Sequence, residues 1–384
     1  MISKQDIQTF VDALQDKYEW DYLYPYTQDI YNELSSLYTM INGFDISDED
    51  MYCLQNILES IISKKDKLID TYNDRRQKLH QLKSLILPEQ RSPEWYEMRR
   101  DKLTASSIAS ALGKCHFTTR DELLLSKIEE KPYEPNPITE HGVKYEDVAI
   151  QFYEEMYNTK VVDFGMIPHP EFNAFGASPD GICDDTGNDE YMARMVEIKC
   201  PPKRKFTKTV PPHYWQQVQG QLEVCDLDEC DFFQVKISEY ESLEDYKNDV
   251  FMDDDNIVPG RTILNYPKGV TLTYKVGEKL SYVYCEFNKD VDEYLSWINT
   301  QPTENLFETK WWKIERYETT LVTRDREWWI DNVEHILTFY KDLLYYREGD
   351  NKQVLKDRIT EKKKKKKTMQ IELDDFMLLS DDES

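Results

Sequence analysis

Gly176-Ala177-Ser178-Pro179-Asp180-Gly181 and, seventeen positions after Asp180, Val196-Glu197-Ile198-Lys199-Cys200-Pro201-Pro202 decide the reading of this chain. In the first block Pro179 presets φ and Gly181 permits positive φ, so a tight turn places Asp180 at a strand end or hairpin. The second block reads as a strand that Pro201 and Pro202 terminate. Alternation puts Glu197 and Lys199 on one face and Ile198 on the other, in the core. Two carboxylates on neighbouring strands suit a hard, oxygen-seeking cation such as Mg²⁺. A lysine beside them can help deprotonate an attacking water or offset developing phosphate charge. Taken alone, the same residues also fit a turn aspartate with a solvated Glu/Lys pair.

The surroundings extend the pattern. His141-Gly142-Val143-Lys144-Tyr145-Glu146 opens a helical run, with Gly142 expected to allow close backbone approach and Glu146 aimed at the sheet. Downstream, Tyr214-Trp215-Gln216-Gln217-Val218-Gln219-Gly220-Gln221-Leu222 starts an amide-rich amphipathic helix. Upstream, Trp95, Arg99 and Leu103-Thr104-Ala105-Ser106 open the domain. Helical segments at about 94–112, 120–130, 139–157 and 212–225 alternate with β-rich runs at about 160–167, 174–184, 192–200, 231–238 and 271–287. An α/β (α+β) architecture follows, a central mixed sheet flanked by helices.

Residues 1–88 read as a helical accessory region, ending where Pro88 and Pro93 break the pattern; the core is expected over 92–300. Residues 301–354 are expected to be helical and aromatic-rich, with Trp311, Trp312, Trp328 and Trp329 as core, or else as a base-stacking platform. Residues 355–384 read as a flexible tail carrying the lysine run Lys362–Lys367.

Composition bounds the rest. With 40% hydrophobic and 13% aromatic residues in 384, the chain can build a core, which excludes wholesale disorder. The formal charge of −26 would disfavour nucleic acid as partner, but charge at a binding face is local. Lys203, Arg204, Lys205 and Lys208 form such a local basic cluster, a plausible rail for a DNA backbone or a solvated loop. The seven cysteines include no CxxC pair, so neither an iron–sulfur cluster nor a structural zinc has its usual ligands. No apolar run reaches membrane-span length and the first twenty residues are charged throughout, so an intracellular, soluble protein is expected.

In order, W…R…LTAS, HGxxYE, SPDG, EIKCP and YWQQVQGQL resemble the lambda-exonuclease/YqaJ-type viral recombinase family of the PD-(D/E)XK nuclease superfamily, over about residues 92–240. The resemblance implies a Mg²⁺- or Mn²⁺-dependent exonuclease that degrades linear duplex DNA from a 5′-phosphorylated end in recombination or repair. It implies that Asp180, Glu197 and the main-chain carbonyl of Ile198 bind the ion, with Glu146 completing its environment. Lys199 would be the catalytic lysine and Gln217 would position the attacking water, while Arg99, Ser106 and Ser178 would hold the 5′-phosphate. A ring of three subunits is the family's usual assembly, with a dimer as the alternative, and a single-strand-annealing protein is an implied partner. A large DNA virus or phage would suit the resemblance, and with it a host cytoplasm or nucleus. The rival readings are an endonuclease, a CRISPR-adaptation-like nuclease, and a non-catalytic DNA- or clamp-binding module. In the tail, Gln370, Leu373 and Phe376 resemble a sliding-clamp-binding peptide, with Met377 where a second aromatic is usual.

Overall fold

A computed structural model describes residues 35–36, 39–40, 47–129, 136–203 and 206–365. Arg204, Lys205 and the tail residues Gln370, Leu373 and Phe376 therefore lie outside the described residues. The chain divides into two compact units, Met1–Asp74 and Arg75–Ser384. The division falls within helix α1 (Asp48–Lys83), and not at the expected boundary near Pro88. The physical reason is that the last turns of α1 are anchored in the second unit. Leu79 and Leu82 are buried, Arg75 pairs with Glu229 at 2.9 Å, and Lys83 binds Asp184.

The second unit is built on a seven-stranded mixed sheet in the order β11-β10-β12-β7-β6-β5-β2. Its strands are β2 (Thr159–Val162), β5 (Gly181–Gly187), β6 (Met195–Lys199), β7 (Glu229–Glu239), β10 (Lys268–Val276), β11 (Lys279–Tyr284) and β12 (Leu306–Thr323). One pair, β6 with β7, is parallel, and helix α6 (Pro212–Cys225) makes the crossover that a parallel pair requires. Helix α5 (Pro137–Tyr157) starts at Asn136, whose side chain accepts from Ile138 N, with Pro137 at the first helical position. It buries Tyr145, Val148, Phe152 and Tyr153 against Val196, Ile198, Phe233, Val235 and Trp312. A small sheet, β1-β4-β3 (Leu103–Thr104, Phe175–Ala177, Ile167–Pro168), packs against α6 and leads, through β4, into the Asp180 turn. Among the described residues, no helix is long and apolar enough to cross a membrane.

Two expectations change. Residues 306–323, expected to be helical, form the long strand β12, which pairs with β7 from Trp312 opposite Glu239 to Thr323 opposite Glu229. Here the period is two: Trp312 and Ile314 are buried on one face, and aromatic residues pack well on a pleated surface. Trp312 and Trp329 are buried core, and Trp311 packs on Tyr246 with ring centroids 4.5 Å apart. Finally, helix continues over 351–365, past the boundary drawn at about 355, because its cations pair with acids on helix α4 (Arg120–Ile128). Arg358 and Lys362 both reach Asp121, at 2.6 and 2.8 Å.

Candidate active site

Strand β6 delivers two side chains to the face opposite α5. Val196 and Ile198 point into the core, while Glu197 and Lys199 meet helix α6. Glu197 is fully buried. Its Oε1 accepts from Lys199 Nζ and from Gln217 Nε2 at 2.6 Å, and its Oε2 accepts from Gln221 Nε2 at 2.7 Å. Gln217 and Gln221 are one helical turn apart, so α6 presents both amides on one face. Gln217 was expected from the family resemblance; Gln221 was not, although its i, i+4 spacing from Gln217 marks it in the sequence.

Asp180 sits where the β4–β5 turn meets the end of β6. Its Oδ2 accepts the Ile198 amide N–H at 2.7 Å and lies 3.8 Å from Lys199 Nζ. The lysine therefore bridges the two carboxylates, and its ammonium also stands 5.2 Å from the Tyr214 ring centroid. Burial alone would lower the Lys199 pKa, but Glu197 and Asp180 outweigh it and hold the ammonium protonated. Asp180 is pushed well above the usual carboxylate range, first by desolvation and next by the Glu197 charge. Glu146, on α5, is raised as well; desolvation dominates, and Arg91 opposes it. Both carboxyls feel the Glu197 and Lys199 charges.

Two glycines differ from the reading. Gly181 is not in a positive-φ conformation; a Cβ there would lie 2.1 Å from Val161 Cγ1, so close strand approach requires it. Gly142 has nothing within 4 Å of an added Cβ, and the expected close approach is absent.

The predicted anion-binding residues also converge. Helix α2 (Pro93–Asp101), capped by Ser92, carries Trp95 and Arg99 on successive turns. Arg99 lies over the Trp95 ring at 4.4 Å and donates to Ser106 Oγ at 3.2 Å; Trp95 Nε1 donates to Ser178 Oγ at 3.2 Å. Ser178 is two residues before Asp180, so one short turn couples the hydroxyl to the acidic cluster. Asp180 and Glu197 both act on Arg99 electrostatically, against a larger effect of burial. Lys203 is exposed and stands outside this constellation. His169 is scaffold: its Nδ1 accepts from Glu171 N and Phe172 N, each at 3.1 Å, and its ring stacks on Trp329.

The donor set fits a hard divalent cation: Asp180, Glu197 and Glu146 supply only oxygens, and burial, with repulsion from neighbouring carboxylates second, raises the pKa of Asp180 and Glu146. Among the described residues no three His, Cys, Asp or Glu side chains stand in a coordinating group. The carboxylates are instead held by the protein's own cations, Lys199 on Asp180 and Glu197, and Arg91 on Glu146 at 2.9 and 3.0 Å. Arg91 was not among the residues singled out from the sequence.

Residues 94–228 match the sequence model of the YqaJ-like viral recombinase domain, and every residue of this cleft except Arg91 lies within them. Over this segment the chain is similar to that family. An uncharacterized protein of Acanthamoeba polyphaga mimivirus is 29% identical to the chain over 350 residues, covering 81% of this chain and 63% of that protein. A protein of African swine fever virus is 28% identical over 161 residues, covering 35% of this chain and 46% of its own length. The chain thus spans less than two thirds of the length of these relatives. Among solved structures, the alkaline exonuclease LHK-Exo from Laribacter hongkongensis aligns with a TM-score of 0.39 and 19% identity, over 70% of this chain and 99% of that one. A phage-related exonuclease from Haemophilus somnus aligns with a TM-score of 0.33 and 13% identity, over 64% and 96%. The mixed sheet and its flanking helices agree with the fold class expected from the sequence.

Proposed function

We propose that the YqaJ-like domain is a divalent-metal-dependent deoxyribonuclease that hydrolyses linear duplex DNA from a 5′-phosphorylated end. One observation carries this reading: the short turn from Ser178 to Asp180 joins the Asp180–Lys199–Glu197 cluster to the Arg99–Ser106 and Trp95–Ser178 contacts. An end-anchored phosphate beside a hydrolytic cluster favours an exonuclease over an internal cutter.

In this reading Asp180, Glu197, Glu146 and the Ile198 carbonyl would hold Mg²⁺ or Mn²⁺, which would supply Lewis-acid activation of water and phosphate. Lys199 stays protonated and, once substrate draws it from its carboxylate partners, its ammonium offsets charge on the phosphoryl oxygens. Gln217 and Gln221 fix the Glu197 carboxylate, so a water held against that carboxylate has a defined direction of attack. Arg99 and the two serine hydroxyls grip the terminal phosphate, with Trp95 keeping Arg99 in place. Mononucleotides and a 3′ single-stranded overhang would result, in keeping with recombination or repair. A ring of three subunits, a single-strand-annealing partner and clamp binding by the tail belong to the same proposal.

Purified protein should degrade end-labelled linear duplex, but not closed circles, with Mg²⁺ and not with EDTA. A 5′-hydroxyl end should be cut more slowly than a 5′-phosphate end. Nicking of circles would replace this reading with an endonuclease, and loss of neither substrate under any metal would end it.

A further inference from the structure

Three consecutive residues just before helix α2 each serve a different part of the cleft. Gln90 Nε2 donates to the Pro179 carbonyl at 3.2 Å, and to Phe164 O and Asp163 Oδ1 at 2.9 and 2.6 Å, which ties the strap to the Asp180 turn. Ser92 caps the helix that carries Arg99, its Oγ accepting from Trp95 N at 3.2 Å. Between them, Arg91 lays its guanidinium against both oxygens of Glu146. It does so from a left-handed backbone at φ 64°, a conformation that is strained for a non-glycine residue. An ordinary surface ion pair needs no such backbone. The other charged groups acting on Glu146 are Asp147, Lys199 and Glu197. Beside Arg91 opens a cavity of about 370 Å³, lined among others by Ser92, Asp147, Lys279 and Tyr284, so the guanidinium borders both the carboxylate and open space.

We infer that Arg91 is a positioning residue that acts as the resident counter-cation of Glu146, competing with a divalent ion for that carboxylate. This inference rests on the metal-dependent reading of the cleft. Arg91 holds Glu146 aimed at the cleft in the ion-free protein and swings toward the adjoining cavity when an ion is bound. Two cations then cannot share the carboxylate at full strength, so removing one strengthens the other.

The test is Mn²⁺ titration of the full chain, with free Mn²⁺ read by electron paramagnetic resonance and no DNA present. Arg91→Gln should bind Mn²⁺ about fivefold more tightly than the wild type, equivalent to about 1 kcal/mol. Arg91→Lys, which keeps the charge but loses the two-pronged contact, should lie between the two. Adding Arg91→Gln to Glu146→Gln should change nothing further, because Arg91 acts only through Glu146. Equal or weaker Mn²⁺ binding by folded Arg91→Gln, with Glu146→Gln still weakened, overturns the inference and leaves the proposed function standing. Should Arg91→Gln fail to fold, Arg91→Lys decides in its place, and unchanged or weaker binding by it overturns the inference. Wild-type protein that binds no Mn²⁺, or binds it equally well as Asp180→Asn, overturns the proposed function and the inference with it.

Discussion

Asp180 shows how the site trades stability for chemistry. It is kept in a mostly desolvated position next to Glu197, so its charged form is disfavoured in the folded chain. A carboxyl whose folded pKa lies above its unfolded value binds its proton first in the folded state. The fold therefore gains stability as pH falls through the raised pKa toward the ordinary carboxylate range. Asp180→Asn should abolish metal-dependent cleavage by a factor of about 10³ or more, as removal of a charge-stabilising group at a reacting centre does. The same variant, in EDTA at pH 8, should melt about 2 °C higher than the wild type, and this gain should shrink at pH 6. Differential scanning calorimetry at the two pH values checks both signs; a lower melting temperature at pH 8 would contradict the charge-crowding account. Lys199→Ala should lose activity comparably without the thermal gain, since it removes the one cation that bridges Asp180 and Glu197.

At the scale of elements, helix α2 is held from behind. Lys127, buried on α4, donates to the Arg99 and Lys102 carbonyls at 2.8 and 2.6 Å, and Arg347 donates to the Arg100 carbonyl at 3.0 Å. These cations meet the C-terminal carbonyls of α2, where the helix dipole favours positive charge. Burial, and then the Arg99 and Arg347 charges, lower the Lys127 pKa to about 8. With a folded pKa below the unfolded one, the unfolded chain holds the proton longer, so the Lys127 contribution to stability rises as pH climbs from about 8 to 10.5. Urea unfolding of wild type and Lys127→Met across that window should show the rise in the wild type and its loss in the variant. Helix α6 packs as tightly on the other side. A Cβ at Gly220 would meet Ile108 Cδ1 at 2.2 Å, Phe175 Cζ at 3.1 Å and Ala105 Cβ at 3.3 Å. Ile108 can move its side-chain end, but Ala105 cannot, and Ser106 follows Ala105 directly. Gly220→Ala should thus cost about 1–3 kcal/mol, as overpacking does, and should narrow the rate difference between 5′-phosphate and 5′-hydroxyl ends. A variant with unchanged end preference would show that the Ser106 turn is not set by this contact.

The whole second unit is closed by its C-terminal helix. Residues 351–365 lie on α4 through Asp121–Arg358, Asp121–Lys362, Glu122–Lys363 and Glu129–Lys356 pairs. Lys363 and the Thr119 cap hold the Glu122 carboxyl near a pKa of about 2. The first lysines of the run are thus paired within the chain, although the net charge of −26 would suggest a chain short of cations for any anionic partner. Through α4 and Lys127 this helix also braces the Arg99 helix. Asp121→Asn strips one partner from two cations and should cost about 1–2 kcal/mol, less at high salt, with faster proteolysis within 351–365. Equal melting temperatures in low salt would show that the helix is held by packing, through Leu355 and Ile359, and not by charge.

The sequence by itself pointed to the candidate site residues, some through local spacing and some through resemblance to a family. SPDG, EIK and HGxxYE are local patterns whose spacing fixes a face of a strand or helix and so marks Asp180, Glu197, Lys199 and Glu146, whereas Gln217, Arg99, Ser106 and Ser178 were expected from the resemblance alone. Alternation and helical periodicity are short-range properties, so they survive without knowledge of the fold. What only the tertiary structure decided was long-range. Residues 306–323 are a strand because β7 and β10 flank them, not because of any intrinsic preference that outweighs a helical reading. The unit boundary lies inside a continuous helix because buried leucines and ion pairs, invisible along the chain, anchor its end. Arg91 reaches Glu146 across 55 positions of sequence. No local pattern encodes such a pairing; it exists only once the strap, the turn and the helix are packed together.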